Sequence, residues 1–259
     1  MCLSTLARTL WALGYHDDAL KRVHEALALA RQLSHPFSLA FALYFAAVVF
    51  QYRREWQATQ EHAEALMALS IEHGFAQRRA QSRILLAWTL VEQGRDAEGI
   101  AQLRQSVAAY GATGADLGRS SYLALLAEAY GKRGQAEEGL AALAEALTVV
   151  HDHRICFNEA ELYRLKGELL LKRDELEPAG LTEAEACFAR ALDAARRQQA
   201  KSLELRAAMS LGRLWQRQGK SAEARDLVAG VYGWFTQGFD TADLIAAKAW
   251  LESPAHPVP

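Results

Sequence analysis

Two phrases of the chain nearly coincide forty residues apart: LVEQGRDAEGIAQL at 90–103 and YGKRGQAEEGLAAL at 130–143. A fixed period of this size is the signature of a stacked array, in which each copy is one small supersecondary unit. With Gly94 and Gly134 as markers, steps of forty lead back to Arg54 and Gly14 and forward to Asp174. A short insertion then shifts the sixth marker to Gly219. Seven residues before each marker stand Ala7, Ala47, Ala87, Ala127, Gly167 and Gly212, all small. Four residues before it stand Leu10, Phe50, Leu90, Tyr130, Leu170 and Trp215, all large.

A second pattern follows each marker at spacings of four and three, which place its members on one helix face. It reads Ala19, Val23, Ala26; Thr59, Ala63, Leu66; Gly99, Leu103, Ser106; Gly139, Leu143, Ala146; Ala184, Phe188, Ala191; and Ala224, Val228, Val231. Each unit is therefore helix, tight turn, helix. Glycine suits the residue after a helix because it enters the left-handed region without steric cost. The acidic residues of GRDAE, GQAEE and GKSAE fall in the next first turn, facing the positive end of the helix dipole. One hairpin cannot bury its apolar face, and stacking copies does.

These columns resemble the tetratricopeptide repeat, matched at Ala127, Tyr130, Gly134, Gly139, Leu143 and Ala146 and equivalently elsewhere. The period of forty exceeds that family's 34, and its proline after the second helix is missing from most units. The resemblance implies an all-α, right-handed α-α superhelix of about six hairpins. Units are expected near 1–34, 35–74, 75–115, 116–154, 155–200 and 201–235, with a capping helix and disordered tail over 236–259. Within the fifth unit, Glu177–Gly180 reads as a loop and Thr182 as an N-cap. Near the end, Gly238 is expected to close one helix and Asp240 or Thr241 to open the last.

The phrase WFTQGFDTADLIAAKAWL also resembles the end of the repeat region in large bacterial regulators. Those join a cyclase, kinase or DNA-binding module to a signalling ATPase. The first repeat begins at residue 2 or 3 without a cap, which suggests a piece of a longer chain and allows self-association there.

Composition excludes several classes. The net charge of −2 lacks the basic excess of a non-specific nucleic-acid binder. The most apolar run, residues 37–50, is too short to span a membrane. Three scattered cysteines, Cys2, Cys156 and Cys187, make no disulfide framework and fit a reducing cytoplasm. GKS at 219–221 lacks the glycine of a phosphate-binding loop, since Leu214 occupies that place. His151, Asp152, His153 and Cys156 lack a second ligand cluster, and His16 and His24 with Asp17 and Asp18 fare no better. Glu137, Glu138, Glu183 and Glu185 are explained by helix starts. No catalytic residues, metal or cofactor are expected.

In the resembled family the first helix of each hairpin lines the concave face. By register to the marker, this gives Arg8 and Trp11; Phe41, Tyr44, Gln51 and Tyr52; Gln81 and Trp88; Glu128 and Lys132; Arg164 and Lys172; and Arg206, Arg213 and Arg217. The face grades from aromatic through mixed charge to basic. Aromatics and arginine are the usual anchors of binding surfaces. The expected function is a non-catalytic module that grips a protein segment or a neighbouring domain of a signalling assembly. The alternative is a sensor holding a metabolite in the same groove.

Overall fold

The computed structural model describes residues 1–153, 156–173 and 177–253. Among these are thirteen α-helices, one 3-10 turn and no strand. The helices are α1 (Cys2–Leu13), α2 (His16–Gln32), α3 (Pro36–Tyr52), α4 (Trp56–Glu72), α5 (Ala76–Glu92), α6 (Asp96–Gly111) and α7 (Arg119–Lys132). They continue as α8 (Ala136–His153), α9 (Glu159–Arg173), α10 (Pro178–Arg197), α11 (Lys201–Arg217), α12 (Ser221–Tyr232) and α13 (Ala242–Glu252). The 3-10 turn is Cys156–Asn158.

The repeated columns are where the hairpins close. Ala7, Ala47, Ala87 and Ala127 have no exposed surface. Across from them, a Cβ added to Gly99 would meet Val91 at 2.5 Å and one on Gly167 would meet Phe188 at 2.5 Å. There is no room for a larger side chain at these crossings. The four-and-three column of every second helix is buried, from Ala19, Val23 and Ala26 to Ala224, Val228 and Val231. The marker glycines Gly14, Gly94, Gly134 and Gly219 all have positive φ, between 73° and 94°. Arg54 takes the same left-handed conformation, at φ 62°, without being glycine. Asp174 lies outside the described residues.

Odd-numbered helices also pack on the next odd-numbered helix, from α1 on α3 through to α11 on α13. Even-numbered helices pack chiefly on their neighbours in sequence. The odd helices are therefore the tightly packed inner layer and the even helices the splayed outer one. The curvature that follows brings the ends together, with α1 packing against α11. His16 Nε2 lies 2.7 Å from Ser202 Oγ, and that hydroxyl donates to the Trp11 carbonyl at 2.5 Å. The Gln237 side-chain oxygen accepts from the Asp17 and Asp18 amides at 2.9 and 3.0 Å, so the C-terminal loop caps α2. Arg53 donates to Asp240 at 3.0 Å, and Arg206 to the Tyr52 carbonyl at 2.6 Å. Gly238 at φ 76° sits so close to His16 that a Cβ would approach it to 2.4 Å.

Two local expectations are corrected. The helix α10 begins at Pro178, inside the stretch read as a loop. Proline fits the first helical turn because that N–H has no acceptor to satisfy. Thr182 lies within the helix, its hydroxyl donating to the Pro178 carbonyl at 2.9 Å. Likewise α12 ends at Tyr232, so Gly238 closes no helix and instead turns the loop past His16. Thr241 is the N-cap position of α13. Residues 254–259, part of the expected tail, lie outside the described residues.

The junction carries a pH dependence. Because Ser202 Oγ donates to Trp11, it accepts from His16 Nε2–H, leaving Nδ1 bare and buried without a partner. Burial lowers the His16 pKa from 6.5 to about 4; Asp243 and Asp17 oppose the shift, and Arg53 and Arg206 assist it. The unfolded chain then takes up the proton first, so stability is lost as pH falls from 6.5 toward 4. The full effect is roughly 3 kcal/mol. Denaturant melts across this window should show the loss, and His16→Gln should flatten its upper part. An unchanged slope in the variant would remove His16 as the cause.

Candidate functional site

Inner side chains of all six odd helices α1 to α11 converge on one cavity of about 90 Å³. Its walls include Arg8 and Trp11 of α1, Tyr44, Phe45, Gln51 and Tyr52 of α3, and Leu85 of α5. Opposite stand Ser121, Tyr122, Leu125 and Glu128 of α7, Phe157 and Asn158 of the 3-10 turn, Glu161 of α9 and Arg206 of α11. Arg54, from the turn after α3, also lines it.

Seven of the residues selected by register therefore share one space: Arg8, Trp11, Tyr44, Gln51, Tyr52, Glu128 and Arg206. Glu128, Lys132, Arg164 and Lys172 line an adjoining hollow of about 170 Å³. Arg164, Arg206 and Arg213 line another of about 330 Å³. Phe41 stands beside Arg78, whose guanidinium lies 4.9 Å from the Phe41 ring and donates to Gln81 at 2.8 Å. Arg217 is exposed at the end of α11. Trp88 is 1% exposed and lines none of these spaces. It is packed in the interior, although Arg8 and Glu128, which stand six residues before their own markers as Trp88 does, line the cavity. Ring closure narrows the concave face to a small, partly open cavity flanked by these two hollows. Of the cations expected of the last unit, Arg206 is neutralised within the ring, while Arg213 and Arg217 are exposed.

That neutralisation is a network. Arg54 pairs with Glu128 at 2.9 Å and approaches Asp243 at 3.8 Å. Arg206 pairs with Asp243 at 2.7 Å and Glu161 at 3.7 Å. Arg164 holds Glu161 at 2.7 Å and Glu168 at 3.6 Å. Burial alone would raise the Glu161 pKa, but Arg164, Arg206 and Arg54 outweigh it and bring it to about 2. Burial acts against Glu128 in the same way, and Arg54 and Arg164 reverse it, so its carboxyl is held below the ordinary value. Burial raises the Tyr52 hydroxyl to about 12 and also lifts Tyr44, whose hydroxyl lies 2.7 Å from that of Tyr122. Both tyrosines are neutral hydrogen-bonding groups over the ordinary pH range.

The block of side chains chosen by register omitted Arg54, Phe157, Asn158 and Asp243. Arg54 carried a signal, as the marker that is not glycine. Phe157, Asn158 and Asp243 come from a connection and from the last helix, which the repeat register does not reach. Among the described residues no group of three or more histidine, cysteine or acidic side chains is arranged to hold a metal ion. His151, Asp152 and Cys156 are exposed, and residues 154 and 155 between them lie outside the described residues. No described helix is long and apolar enough to cross a membrane.

The tetratricopeptide repeat family model matches residues 1–36. Among solved structures, NprR in complex with its cognate peptide NprX is similar at a TM-score of 0.68 and 14% identity, over 97% of this chain and 73% of that one. BtubC (BKLC) from P. vanneervenii is similar at 0.55 and 15% identity, over 92% of each chain. The nearly identical TPR-like repeats of a putative kinesin light chain from Podosopora anserina give 0.53 and 19%, over 77% of this chain and 95% of that one. No curated protein matches in sequence. The architecture is that of an all-α helical-repeat superhelix. More narrowly, the fold is that of tetratricopeptide-like repeats, the family model itself matching residues 1–36.

Arg54 tests whether the network or the backbone dominates. A left-handed non-glycine residue costs about 1–2 kcal/mol, which Arg54→Gly would recover. The same change leaves Glu128 without its hydrogen-bonded cation in a half-dry site, a loss of about 3 kcal/mol or more. Arg54→Gly should therefore destabilise the chain by about 1–2 kcal/mol in urea unfolding, and adding Glu128→Gln should restore part of it. A net gain from Arg54→Gly would show that the pair contributes nothing.

Proposed function

We propose that this chain is a non-catalytic binding module that receives a segment of another protein, or of a neighbouring domain, on the inner face of its ring. The observation that carries this reading is the convergence of all six inner helices on one space walled by aromatic and charged side chains. Such walls are the usual anchors of recognition surfaces. The likeness to NprR, solved in complex with its cognate peptide, supports the same reading. The resemblance of residues 234–251 to the end of the repeat region in bacterial signalling ATPase-type regulators suggests the setting: a regulatory or sensor part of such a cytoplasmic assembly. With a cavity of only about 90 Å³, a segment enters by opening the junction of α1 and α2 with α11 and the C-terminal loop. That small volume favours a second reading, a sensor for a small ligand held inside.

A photo-crosslinking residue placed at Ser121, on the cavity wall, should trap a protein from lysate of the source organism. One placed at Gln102, exposed on the outer helix α6, should not. Arg213→Glu, at the exposed edge of an adjoining hollow, should weaken the trapping without loss of helicity. Equal trapping from both positions, or trapping from Gln102 alone, would move the interface to the outside of the ring.

A further inference from the structure

The cavity contains one cation that the network does not use. Arg8 has no carboxylate within ion-pairing distance among the described residues, and its Nε is buried without a hydrogen-bond partner. Its guanidinium lies 4.3 Å from the centre of the Phe157 ring and 5.5 Å from that of Phe45. Aromatic rings contacting the guanidinium stabilise the charge but satisfy none of its N–H groups. A second unused group stands in the same wall. Asn158 is 7% exposed; its carbonyl oxygen accepts from Ser120 at 3.0 Å, while its Nδ2 has no partner. A buried donor left unmade costs about 1–3 kcal/mol, so two donors in one cavity call for an acceptor.

The chemistry of that acceptor follows from its surroundings. A guanidinium edge matches a planar carboxylate through parallel N–H···O bonds. Only one negative charge is wanted, because Glu128 and Glu161 line the same cavity and a dianion would meet both. The remaining walls, Trp11, Tyr44 and Leu125, suit a small apolar body. The volume is below the ~150 Å³ that holds benzene, which limits that body to a few carbons. We propose that the cavity binds a short-chain monocarboxylate, its oxygens received by Arg8 and Asn158. This rests on reading the inner face as the binding surface, and it names the ligand class of the sensor reading.

The test uses the full chain titrated with acetate, propionate and butyrate, with chloride and inorganic phosphate at matched ionic strength as controls. The readouts are the thermal midpoint and the NMR line width of carboxyl-labelled propionate. Saturable one-to-one binding of at least one acid is expected, with no comparable effect of chloride or phosphate. Arg8→Gln should weaken it about tenfold or more, the loss of a charge-assisted pair. Asn158→Leu should weaken it several-fold, and Gln102→Glu, exposed on the outer helix α6, should leave it unchanged. If circular dichroism shows Arg8→Gln unfolded, Arg8→Lys serves: it keeps the charge, loses the planar fork, and should still bind more weakly. No saturable binding, phosphate binding as well as the acids, or binding indifferent to both folded variants overturns the proposal. A failed titration with crosslinking from Ser121 intact removes this site alone. Failure of both removes the inner face as a binding surface.

Discussion

The close approach of two helices at a side chain no larger than alanine is the constraint on which the structure depends. Ala7, Ala47, Ala87, Ala127, Gly167 and Gly212 occupy it in successive hairpins. Where glycine fills it, a neighbouring side chain stands in the space a Cβ would take: Phe188 at Gly167 and Val228, at 2.9 Å, at Gly212. Tight crossings repeated at one register make the inner layer dense, while the even helices spread outside it. Dispersion falls steeply with small gaps, so such contacts hold a definite geometry rather than a loose range of them. A small rotation per repeat, kept constant by that geometry, accumulates into curvature. After six repeats it brings α1 against α11.

Closure changes the electrostatics of everything inside. On an open solenoid, Arg54, Arg206, Glu128 and Glu161 would be solvated side chains worth little to one another. In the ring they are partly desolvated and must be matched, which is why they pair across hairpins distant in sequence, as Arg54 does with Glu128 and Asp243. Arg54 shows the cost accepted for this. Its left-handed backbone is the conformation that glycine supplies at four other turns. Among the described markers, the departure from glycine falls where the side chain enters the central network.

Much of the fold is legible in the sequence because its causes are local and repeated. The small column, the turn glycines and the four-and-three face of the second helices each rest on contacts within one hairpin. Residues such as Ala63, Leu66 and Phe188 are buried where the pattern puts them. Ring closure is not legible. It is the sum of six small rotations and rests on groups with no repeat register, such as Gln237 on the amides of α2 and Gly238 against His16. The site divides the same way. Side chains such as Tyr44, Tyr52 and Glu128 on the inner helices reach the cavity. Trp88 does not, although it shares its register with Arg8 and Glu128, so position relative to the turn alone does not decide which side chains reach the cavity. Asn158 sits in a 3-10 connection, and no period predicts where a connection points.

The closed ring also ties the two readings of the inner face together. A protein segment too large for the cavity binds only chains whose junction has opened. A small acid between Arg8 and Asn158 binds only when the walls stand as they do in the closed state, because Arg8 comes from α1 and Asn158 from the 3-10 turn before α9. Each ligand then draws the population toward its own conformation, and the coupling is equal in both directions. Its size is limited by the free energy of the junction: the Gln237 cap on α2, the Ser202 bridge and the Arg53 and Arg206 contacts. To these polar contacts, at about 1 kcal/mol each, the junction adds an apolar seam in which Trp11, Ala12 and Ala19 pack with Ala194, Ala195, Ala200 and Leu203. That seam raises the cost of opening, so a ligand shifts the junction only in proportion to the difference in its affinity for the two states.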